Sequence, residues 1–326
     1  MRMISGSTSG RTLPKMGCPA CGSILRPRPG AAIAPTTWRD CLRRCLRCEL
    51  GLSNARINPT VLFNDPRMNV PPEVRGGVIE TLALALNVRN RANKKVKFGF
   101  STSEDALTWT VFSFLQGSGQ LLEVLRRAGL PIPDGVSLPE ALLLWGVPID
   151  PDRAVDDRGR PLRVRIESIS DQLGEDPRSR TEPDVVIDLG DSGLLIIEVK
   201  HRSRTDVKPS NYGGWDRYYP AVSPLPHATA IRASGCYELA RNWRLGIELA
   251  FVPPRPFTLA CLGPDGLFLG AGAEALRPFE AGLPSEGTAR FQKLTWNALL
   301  GAVEQAPDWL ASYVEARGYT ISAEGR

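Results

Sequence analysis

The residue types best suited to chemistry lie together in one short segment, PDVVIDLGDSGLLIIEVK, at positions 183–200. Two runs rich in Val and Ile flank the turn residues GDSG, a pattern that predicts a β-hairpin. Alternate side chains of a strand share a face, so Glu198 and Lys200 project together from the second strand. Asp184 opens the first strand. We therefore expect two carboxylates and one ammonium group to meet at one end of a buried hairpin.

Charged groups are uncommon on so apolar a hairpin unless they are paired or bind a ligand. Two nearby carboxylates repel each other, and a divalent cation relieves that repulsion. Mg²⁺ prefers oxygen ligands and is commonly held by one or two carboxylates together with substrate phosphate. Such a site activates water for attack on a phosphodiester, and Lys200 would orient or deprotonate the water or hold the phosphate. The alternative is a Glu–Lys pair that only closes the end of a sheet.

The length of the hairpin loop decides whether the two carboxylates share a face. A four-residue loop would place Asp184 and Glu198 on opposite faces of the sheet, because side chains alternate along each strand. A three-residue loop (190–192) or a five-residue loop (189–193) instead places them directly opposite each other. We predict an odd number of loop residues, or a bulge with the same effect.

The elements that must hold this hairpin follow from the spacing of apolar residues along the chain. Helical spacing predicts helices at 78–95, 103–116, 228–245, 289–305 and 308–318, with one or two short helices in an insertion at 121–150. Strand-like runs predict strands at 162–169, 183–189, 194–200, 246–253 and 257–263. This order predicts an α/β fold in which helices flank a mixed central sheet.

Five of the seven cysteines fall within residues 18–48, and four of them form two C-x₂-C pairs. The expected metal ligands are Cys18, Cys21, Cys45 and Cys48, with 23 residues between the two pairs. Four thiolates at this spacing are typical of a tetrahedral structural zinc site, here in a zinc-ribbon-like module. Cys41 could replace Cys45 or stay free. Cys236 and Cys261 are expected to be buried as small apolar side chains.

Positive charge is concentrated in the first part of the chain. Residues 1–100 contain 17 Lys and Arg against 5 Asp and Glu, a net of +12, while the remaining residues contain 23 against 30, a net of −7. Six arginines lie in or beside the cysteine segment: Arg26, Arg28, Arg39, Arg43, Arg44 and Arg47. Such a surface attracts phosphate backbones, so we expect either a nucleic-acid clamp or a protein-docking surface.

The order Pro183-Asp184, thirteen residues and then Glu198-Val199-Lys200 resembles the motif of the PD-(D/E)XK nuclease superfamily. The resemblance covers roughly residues 100–265. It implies a restriction-endonuclease-like fold and metal-dependent hydrolysis of phosphodiesters, mostly those of DNA. Carried over by position, Asp184 and Glu198 would bind catalytic Mg²⁺ or Mn²⁺, and Lys200 would be the catalytic lysine.

The same superfamily often adds an acidic residue from a helix before the sheet. Glu104 occupies that place as a further catalytic group and metal ligand, and Glu167 and Glu182 are rivals for the role. Related nucleases also place a polar residue on the helix after the lysine strand, and no match is evident here. The loop at 201–219 interleaves four basic with four aromatic side chains, a composition that suits phosphate contact and base stacking as well as a plain surface loop.

These observations predict three parts of the chain. Residues 1–16 would be a flexible tail, 17–58 the zinc-ribbon-like module and 59–326 the nuclease-like domain. The domain core would lie at about 100–265, with C-terminal helices at 289–318.

The expected activity is Mg²⁺-dependent endonucleolytic cleavage of DNA, with bacterial restriction or defence as the setting by analogy. The alternatives are an RNA or branched-DNA nuclease of the same fold, and an inactive nucleic-acid-binding or scaffold protein. The expected partner is nucleic acid, most of all DNA, with a protein partner or a homodimer as further options. No run of 18 uncharged apolar residues occurs, so no membrane contact is expected and the chain is expected to be cytoplasmic. The absence of a phosphate-binding G-x-x-x-x-G-K-[ST] loop argues against an ATPase motor in this chain.

Overall fold

The computed structural model describes residues 13–86, 92–149, 160–177, 180, 182–203, 205, 207–220, 227–285 and 287–321. The chain divides into two compact units. The N-terminal unit comprises Met1–Asn69 and Asn93–Ser103, and the sheet unit comprises Val70–Ala92 and Glu104–Arg326. Among the described residues, no helix is both long enough and apolar enough to cross a lipid bilayer. The functional division into a zinc module and a nuclease-like domain stays a prediction.

Short antiparallel strands build the N-terminal unit. They are β1 (Met16–Gly17), paired with β2 (Ile24–Leu25), and a three-stranded sheet of β3 (Arg43–Cys45), β4 (Leu50–Leu52) and β5 (Val61–Phe63). Their buried side chains form a small cluster that includes Cys18, Cys45 and Leu50. So small a cluster contributes limited hydrophobic stabilisation, which is typical of modules that also need a metal.

Six strands among the described residues form the mixed sheet of the second unit, in the order β11-β10-β9-β8-β6-β7. They are β6 (Ala141–Leu144), β7 (Val147–Pro148), β8 (Val185–Asp188), β9 (Leu194–Val199), β10 (Phe257–Gly263) and β11 (Ala289–Thr295). Strands β9, β10 and β11 are parallel, whereas β8 is antiparallel to both β9 and β6. The central strands are buried along their whole length, which explains their nearly continuous apolar sequences.

Helices cover this sheet, so the predicted α/β fold with a mixed, helix-flanked sheet is confirmed. The helices of the sheet unit are α1 (Pro72–Leu86), α3 (Glu104–Gly117), α4 (Leu121–Arg127), α5 (Arg160–Gln172), α6 (Trp215–Tyr218), α7 (Ala228–Ser234), α8 (Tyr237–Phe251), α9 (Gly270–Ala281), α10 (Trp296–Gly301) and α11 (Asp308–Glu315), and α2 (Ala92–Phe98) lies almost wholly in the N-terminal unit. Helix α8 packs against β9 and β10, the strands at the centre of the sheet. The helices predicted at 103–116 and 308–318 and the strand at 257–263 are confirmed as α3, α11 and β10.

The prediction of a strand at 162–169 is wrong, because this segment lies within helix α5. Leu162 and Ile166 are buried four positions apart, whereas Val164 is 52% exposed. Alternation would bury all three side chains on one face of a strand, while helical spacing buries only the first and third. A spacing of four residues satisfies both patterns, so the sequence alone favoured the wrong one.

The prediction of an insertion with short helices at 121–150 is also wrong for the second half of this segment. LLEVLRRAG does contain helix α4, but the apolar run in LPEALLLWG forms β6 in the central sheet. Strand β6 pairs with β8, with Leu143 opposite Val186. Short apolar runs do not distinguish a buried strand from a buried helix by periodicity.

Three further boundaries differ from the prediction. The helix predicted at 228–245 is two helices, α7 and α8, separated at Gly235, whose φ of 77° ends α7. Helix α8 continues through most of the strand predicted at 246–253. The start of the helix predicted at 289–305 is instead the edge strand β11.

The helix predicted at 78–95 corresponds to α1 and α2, and its central residues 87–91 lie outside the described part of the chain. Helix α1 begins earlier than predicted, at Pro72. The fixed φ of proline and its missing N–H suit the first position of a helix.

Candidate active site and metal centre

The hairpin register places the two predicted carboxylates opposite each other. Asp188 pairs with Leu194, and Val185 with Ile197, so residues 189–193 form a five-residue loop. The next pair beyond the ladder is Asp184 and Glu198. The prediction of an odd loop length is therefore confirmed.

Glu198 is bound at both carboxylate oxygens by neighbouring side chains. Its Oε1 atom lies 2.7 Å from Lys200 Nζ, and its Oε2 atom accepts a hydrogen bond of 2.6 Å from Asn242 Nδ2. The guanidinium of Arg241 lies 4.0 Å from the same Oε2 atom. With only 4% of its surface exposed, Glu198 is a buried carboxylate surrounded by donors and positive charge.

Lys200 bridges two carboxylates. Its Nζ atom lies 2.7 Å from Glu198 Oε1 and 2.7 Å from Glu238 Oε2. Its backbone is fixed as well, because the N–H donates to Leu262 O (2.7 Å) and the carbonyl accepts from Trp296 Nε1 (2.9 Å). Contacts of the side chain and of the backbone therefore both hold Lys200 in position.

The opposite charges in this cluster stabilise each other's ionised form. Burial alone would lower the pKa of Lys200, but the carboxylates around it, Glu198 and Glu238 foremost, raise that pKa above its ordinary value. Burial alone would raise the pKa of Glu198, but Lys200 and Arg241 outweigh it and lower the pKa. Both groups are consequently ionised at neutral pH.

Asp184 lies at the entrance to β8 and is partly exposed. Its Oδ2 atom accepts a hydrogen bond of 2.9 Å from the N–H of Val199, across the hairpin. Its carbonyl oxygen accepts from Trp145 N, 3.1 Å away. These bonds fix the position of the carboxylate beside the strand that carries Glu198 and Lys200.

Glu104 reaches the same end of the hairpin from the first turn of α3. Its Oε2 atom accepts hydrogen bonds from the N–H of His201 (2.6 Å) and from Ser203 Oγ (2.7 Å). Burial raises the pKa of Glu104, and the charge of Lys200 opposes that rise. Of the three acidic candidates, the described contacts thus bring Glu104 to the segment that follows Lys200.

The two rival acids have neighbours different from those of Glu104. Glu167 is on α5, where its carboxylate is 38% exposed and lies 3.0 Å from Arg163 Nε. Glu182 lies beside Gly146, where a Cβ atom would come within 3.1 Å of the Glu182 Cδ atom. The strand that was to carry Glu167 is a helix, which removes the geometric reason for placing this residue at the site.

Three contributors on α8 were not identified from the sequence: Glu238, Arg241 and Asn242. Helix α8 approaches the sheet closely at Gly246, where a Cβ atom would lie 1.9 Å from Phe257 Cζ. Arg241 and Asn242 are buried, at 5% and 0% exposure. Spacings of three and four residues place all three side chains on one side of the helix; that spacing is a sequence signal that groups them, but it does not show what the group contacts.

His201 follows the lysine strand directly but is not part of the charged cluster. It is 3% exposed, and its Nδ1 atom lies 2.7 Å from the hydroxyl of Tyr319. Burial lowers the pKa of His201 to about 4. A neutral, buried imidazole of this kind supports the fold around the site.

The four predicted zinc ligands converge in the N-terminal unit. The sulfur atoms of Cys18, Cys21, Cys45 and Cys48 all lie within 4.8 Å of one another. The first pair sits on a tight turn, in which Gly22 N donates to Cys18 O at 2.8 Å. The prediction that these four thiols lie together is confirmed, and they could bind one metal ion such as zinc.

Cys41 is not a member of the group: its sulfur atom does not lie among the four converging ones, and it contacts Thr37 O at 3.8 Å instead. Cys236 and Cys261 are fully buried, as expected. Within the described residues this cysteine group is the only cluster of three or more potential ligand atoms at such distances. The acidic groups of the hairpin therefore do not form a second one.

Not all six arginines beside the cysteines are available to a partner. Arg43 is fully buried and donates to the main-chain oxygens of Ser53 and Ala55, so it supports the fold. Arg44 lies over the ring of Trp38, 5.0 Å from its centroid. The remaining four are exposed: Arg26, Arg28, Arg39 and Arg47.

Comparisons with known proteins give no match for this chain, whether with protein-family models, with curated proteins or with solved structures.

Proposed function

We propose that the sheet unit is a metal-dependent phosphodiesterase that cleaves DNA, with Asp184, Glu198 and Lys200 at its centre. The observation that carries this proposal is the buried contact between Lys200 and Glu198 at the end of an apolar hairpin. Burying such a pair costs about as much free energy as its attraction returns, so a gain in folding stability does not account for its presence. Buried clusters of charged groups with shifted pKa values are typical of catalytic and binding sites.

The donor atoms are carboxylate oxygens, the type that a hard divalent cation prefers. Four carboxylates surround Lys200, and the only other cation described next to Glu198 is Arg241, so the cluster has an excess of formal negative charge. Asp184 and Glu198, with Glu104 as a further candidate, would hold Mg²⁺ or Mn²⁺ through oxygen atoms. When bound, such an ion supplies charge neutralisation and a more acidic water molecule.

Glu238 makes this fit possible without leaving Lys200 unpaired. Both oxygens of Glu198 are occupied, one by Lys200 and one by Asn242. Because Lys200 also contacts Glu238, Glu198 Oε1 can exchange the ammonium group for another cation while Lys200 keeps a counter-charge. Asn242 meanwhile holds the other oxygen in place. Glu238 and Asn242 are thus positioning residues.

The charges around Lys200 favour two of the roles considered for it. The surrounding carboxylates raise the pKa of Lys200 above its ordinary value although burial opposes them, which favours a protonated side chain. A fixed ammonium group binds the scissile phosphate or orients the attacking water. We infer that Lys200 acts as a cation.

The four exposed arginines beside the cysteines support nucleic acid as the substrate, since arginine binds phosphate well. We propose that the N-terminal unit binds one structural Zn²⁺ and presents these arginines to the nucleic acid. The cysteine group supports the first part of this proposal and the exposure of the arginines the second.

The test compares two aspartates of the same hairpin. Asp184→Asn keeps an oxygen for the Val199 N–H but removes the charge, so Mg²⁺-dependent cleavage should fall by at least about 100-fold. Asp191→Asn changes an exposed loop carboxylate and should leave cleavage within about twofold. Cleavage is measured on single-stranded DNA, duplex DNA and RNA, and thermal unfolding confirms that both variants fold. Equal activity of the two variants would refute the proposal.

A further inference from the structure

Four aromatic rings gather at the start of helix α8, with Tyr237 at their centre. The Tyr237 ring lies 5.1 Å from Trp215, 5.2 Å from Tyr212 and 5.8 Å from Tyr218, in edge-to-face contacts. Trp215 and Tyr218 are buried, but Tyr212 is 42% exposed. We call Tyr212 and the rings beneath it the aromatic platform. The inner rings support the fold, and the outer ring is open to solvent.

The loop that carries Tyr212 is anchored to the protein at several points. Val207 forms a β-bridge with Cys236, and Lys208 N donates to Gly235 O at 2.8 Å. Trp215 Nε1 donates to Pro209 O at 3.0 Å. Tyr212 is therefore held in place before any ligand arrives, which reduces the entropy lost on binding.

The platform lies next to the charged cluster along the same helix. Tyr237 precedes Glu238, whose carboxylate contacts Lys200. One turn further on, about 6 Å along the helix axis, Arg241 approaches Glu198. The aromatic platform and the charged cluster are therefore both attached to the first turns of α8, so a nucleic acid bound at Lys200 would extend towards Tyr212.

One cation lies over the exposed ring, and a second basic side chain belongs to the same segment. Lys208 Nζ lies 5.7 Å from the centroid of Tyr212, and Arg217 is exposed on the short helix α6. Burial raises the pKa of the Tyr237 hydroxyl, with Tyr212 and Glu175 adding to the rise, and the charges of Arg241 and Arg217 oppose it, so both arginines lie close enough to act on the inner ring. An exposed aromatic ring among cations is the arrangement that binds a base and its phosphate together.

We propose that Tyr212 is a nucleobase-stacking platform, so that the substrate is a nucleic acid with an unpaired base next to the cleaved phosphate. This inference rests on the proposed function for the position of the phosphate. Inside a duplex both faces of a base are covered by its neighbours, so only an unpaired, terminal or extruded base can stack on Tyr212. The platform thus selects strand structure and not base identity.

The test measures binding by fluorescence anisotropy with the full-length protein and no added Mg²⁺. The probes are a labelled single-stranded oligonucleotide, the same sequence as a duplex, and a strand of abasic sugar-phosphate units. Tyr212→Ala should weaken binding of the single strand by about tenfold, equivalent to about 1.4 kcal/mol. Tyr212→Phe should bind as the wild type does, since it keeps the ring. Binding of the abasic strand should not change.

Two neighbouring glycines provide a matched pair that leaves Tyr212 itself intact. A Cβ atom at Gly214 would lie 2.4 Å from Tyr212 Cε1, whereas a Cβ atom at Gly213 would meet nothing within 4 Å. Gly214→Ala should therefore displace the ring and weaken single-strand binding as Tyr212→Ala does. Gly213→Ala should leave binding within about twofold of the wild-type value.

Three results would overturn the inference. The first is unchanged single-strand binding by Tyr212→Ala, which would favour protein docking at this surface. The second is equal loss on the base-containing and abasic strands, which would assign Tyr212 to a phosphate contact or to folding. The third is an equal effect of the two glycine substitutions. Because binding is measured without cleavage, the platform can fail while the Asp184 test succeeds, and the reverse is also possible.

Discussion

The buried contact between Lys200 and Glu198 can be measured by a double-substitution cycle on the full-length protein. The variants are Lys200→Met, Glu198→Gln and the two combined. Met keeps an unbranched apolar chain without the charge, and Gln keeps an oxygen that can accept from Asn242. The free energy of unfolding of the four proteins is obtained from urea denaturation followed by tryptophan fluorescence.

The expected magnitudes follow from burial. Lys200 and Glu198 are 5% and 4% exposed, so removal of one partner leaves the other charge buried. Breaking a buried pair typically costs about 3–5 kcal/mol, and we expect the lower end because Lys200 keeps Glu238 and Glu198 keeps Asn242. The double variant loses both charges at once. It should therefore cost about 1–3 kcal/mol less than the two single variants added together.

An exposed pair in the same unit serves as the control. Arg163 Nε lies 3.0 Å from Glu167 Oε1 on α5, and the side chains are 47% and 38% exposed. Water screens this pair, so its coupling energy should stay below about 0.5 kcal/mol. If the coupling between Lys200 and Glu198 were no larger than this, the pair would not be buried as described. The reasoning about the site would then be refuted.

Two further predictions concern metal content and pH. Elemental analysis should find one zinc per chain in the wild type and in Cys41→Ser but none in Cys18→Ser, because Cys18 belongs to the converging sulfur group and Cys41 does not. Zinc retained by Cys18→Ser would contradict the site. His201 should make the protein less stable in acid, because its pKa of about 4 lies below the value of about 6.5 in the unfolded chain. Stability should fall by about 3 kcal/mol as the pH falls from about 6.5 to 4. His201→Asn should remove this loss, whereas His227→Asn should keep it; equal pH profiles of the two variants would contradict the assignment.

The hairpin was predictable because its signals are local. Two runs of Val and Ile around a glycine-containing turn favour antiparallel pairing whatever surrounds them. Its register followed from one further condition, that Asp184 and Glu198 share a face, and residues 189–193 meet that condition. The cysteine group was predictable for a similar reason, since each C-x₂-C pair brings its own two sulfur atoms together within one tight turn.

The errors arose where local spacing fits two structures. Leu162 and Ile166 are four residues apart, which suits one face of a strand or of a helix. The run 141–144 has no polar residue that could reveal a period. In both segments tertiary packing decides the outcome, because β6 is fixed by pairing with β8 and α5 by packing against α8.

The side chains on α8 could not be assigned because their role depends on contacts that are distant in sequence. Asn242 lies 44 positions from Glu198, and Glu238 lies 38 positions from Lys200. A helix with charged side chains at such spacings is read by default as solvent-exposed. The contacts of Glu238 and Asn242 and the close packing of Gly246 against Phe257 show that this side of the helix faces the sheet.

Helix α8 connects the charged cluster to the aromatic platform through two aligned pairs of side chains. Glu238 and Asn242 are four residues apart and contact Lys200 and Glu198. Tyr237 and Arg241 have the same spacing and form the adjacent stripe of the helix. Because one helix carries both stripes, the contacts of Glu238 with Lys200 and of Tyr237 with Tyr212 hold the charged cluster and the aromatic platform at a fixed separation. Under the proposed function, such a separation favours one strand structure over another without reading the base sequence.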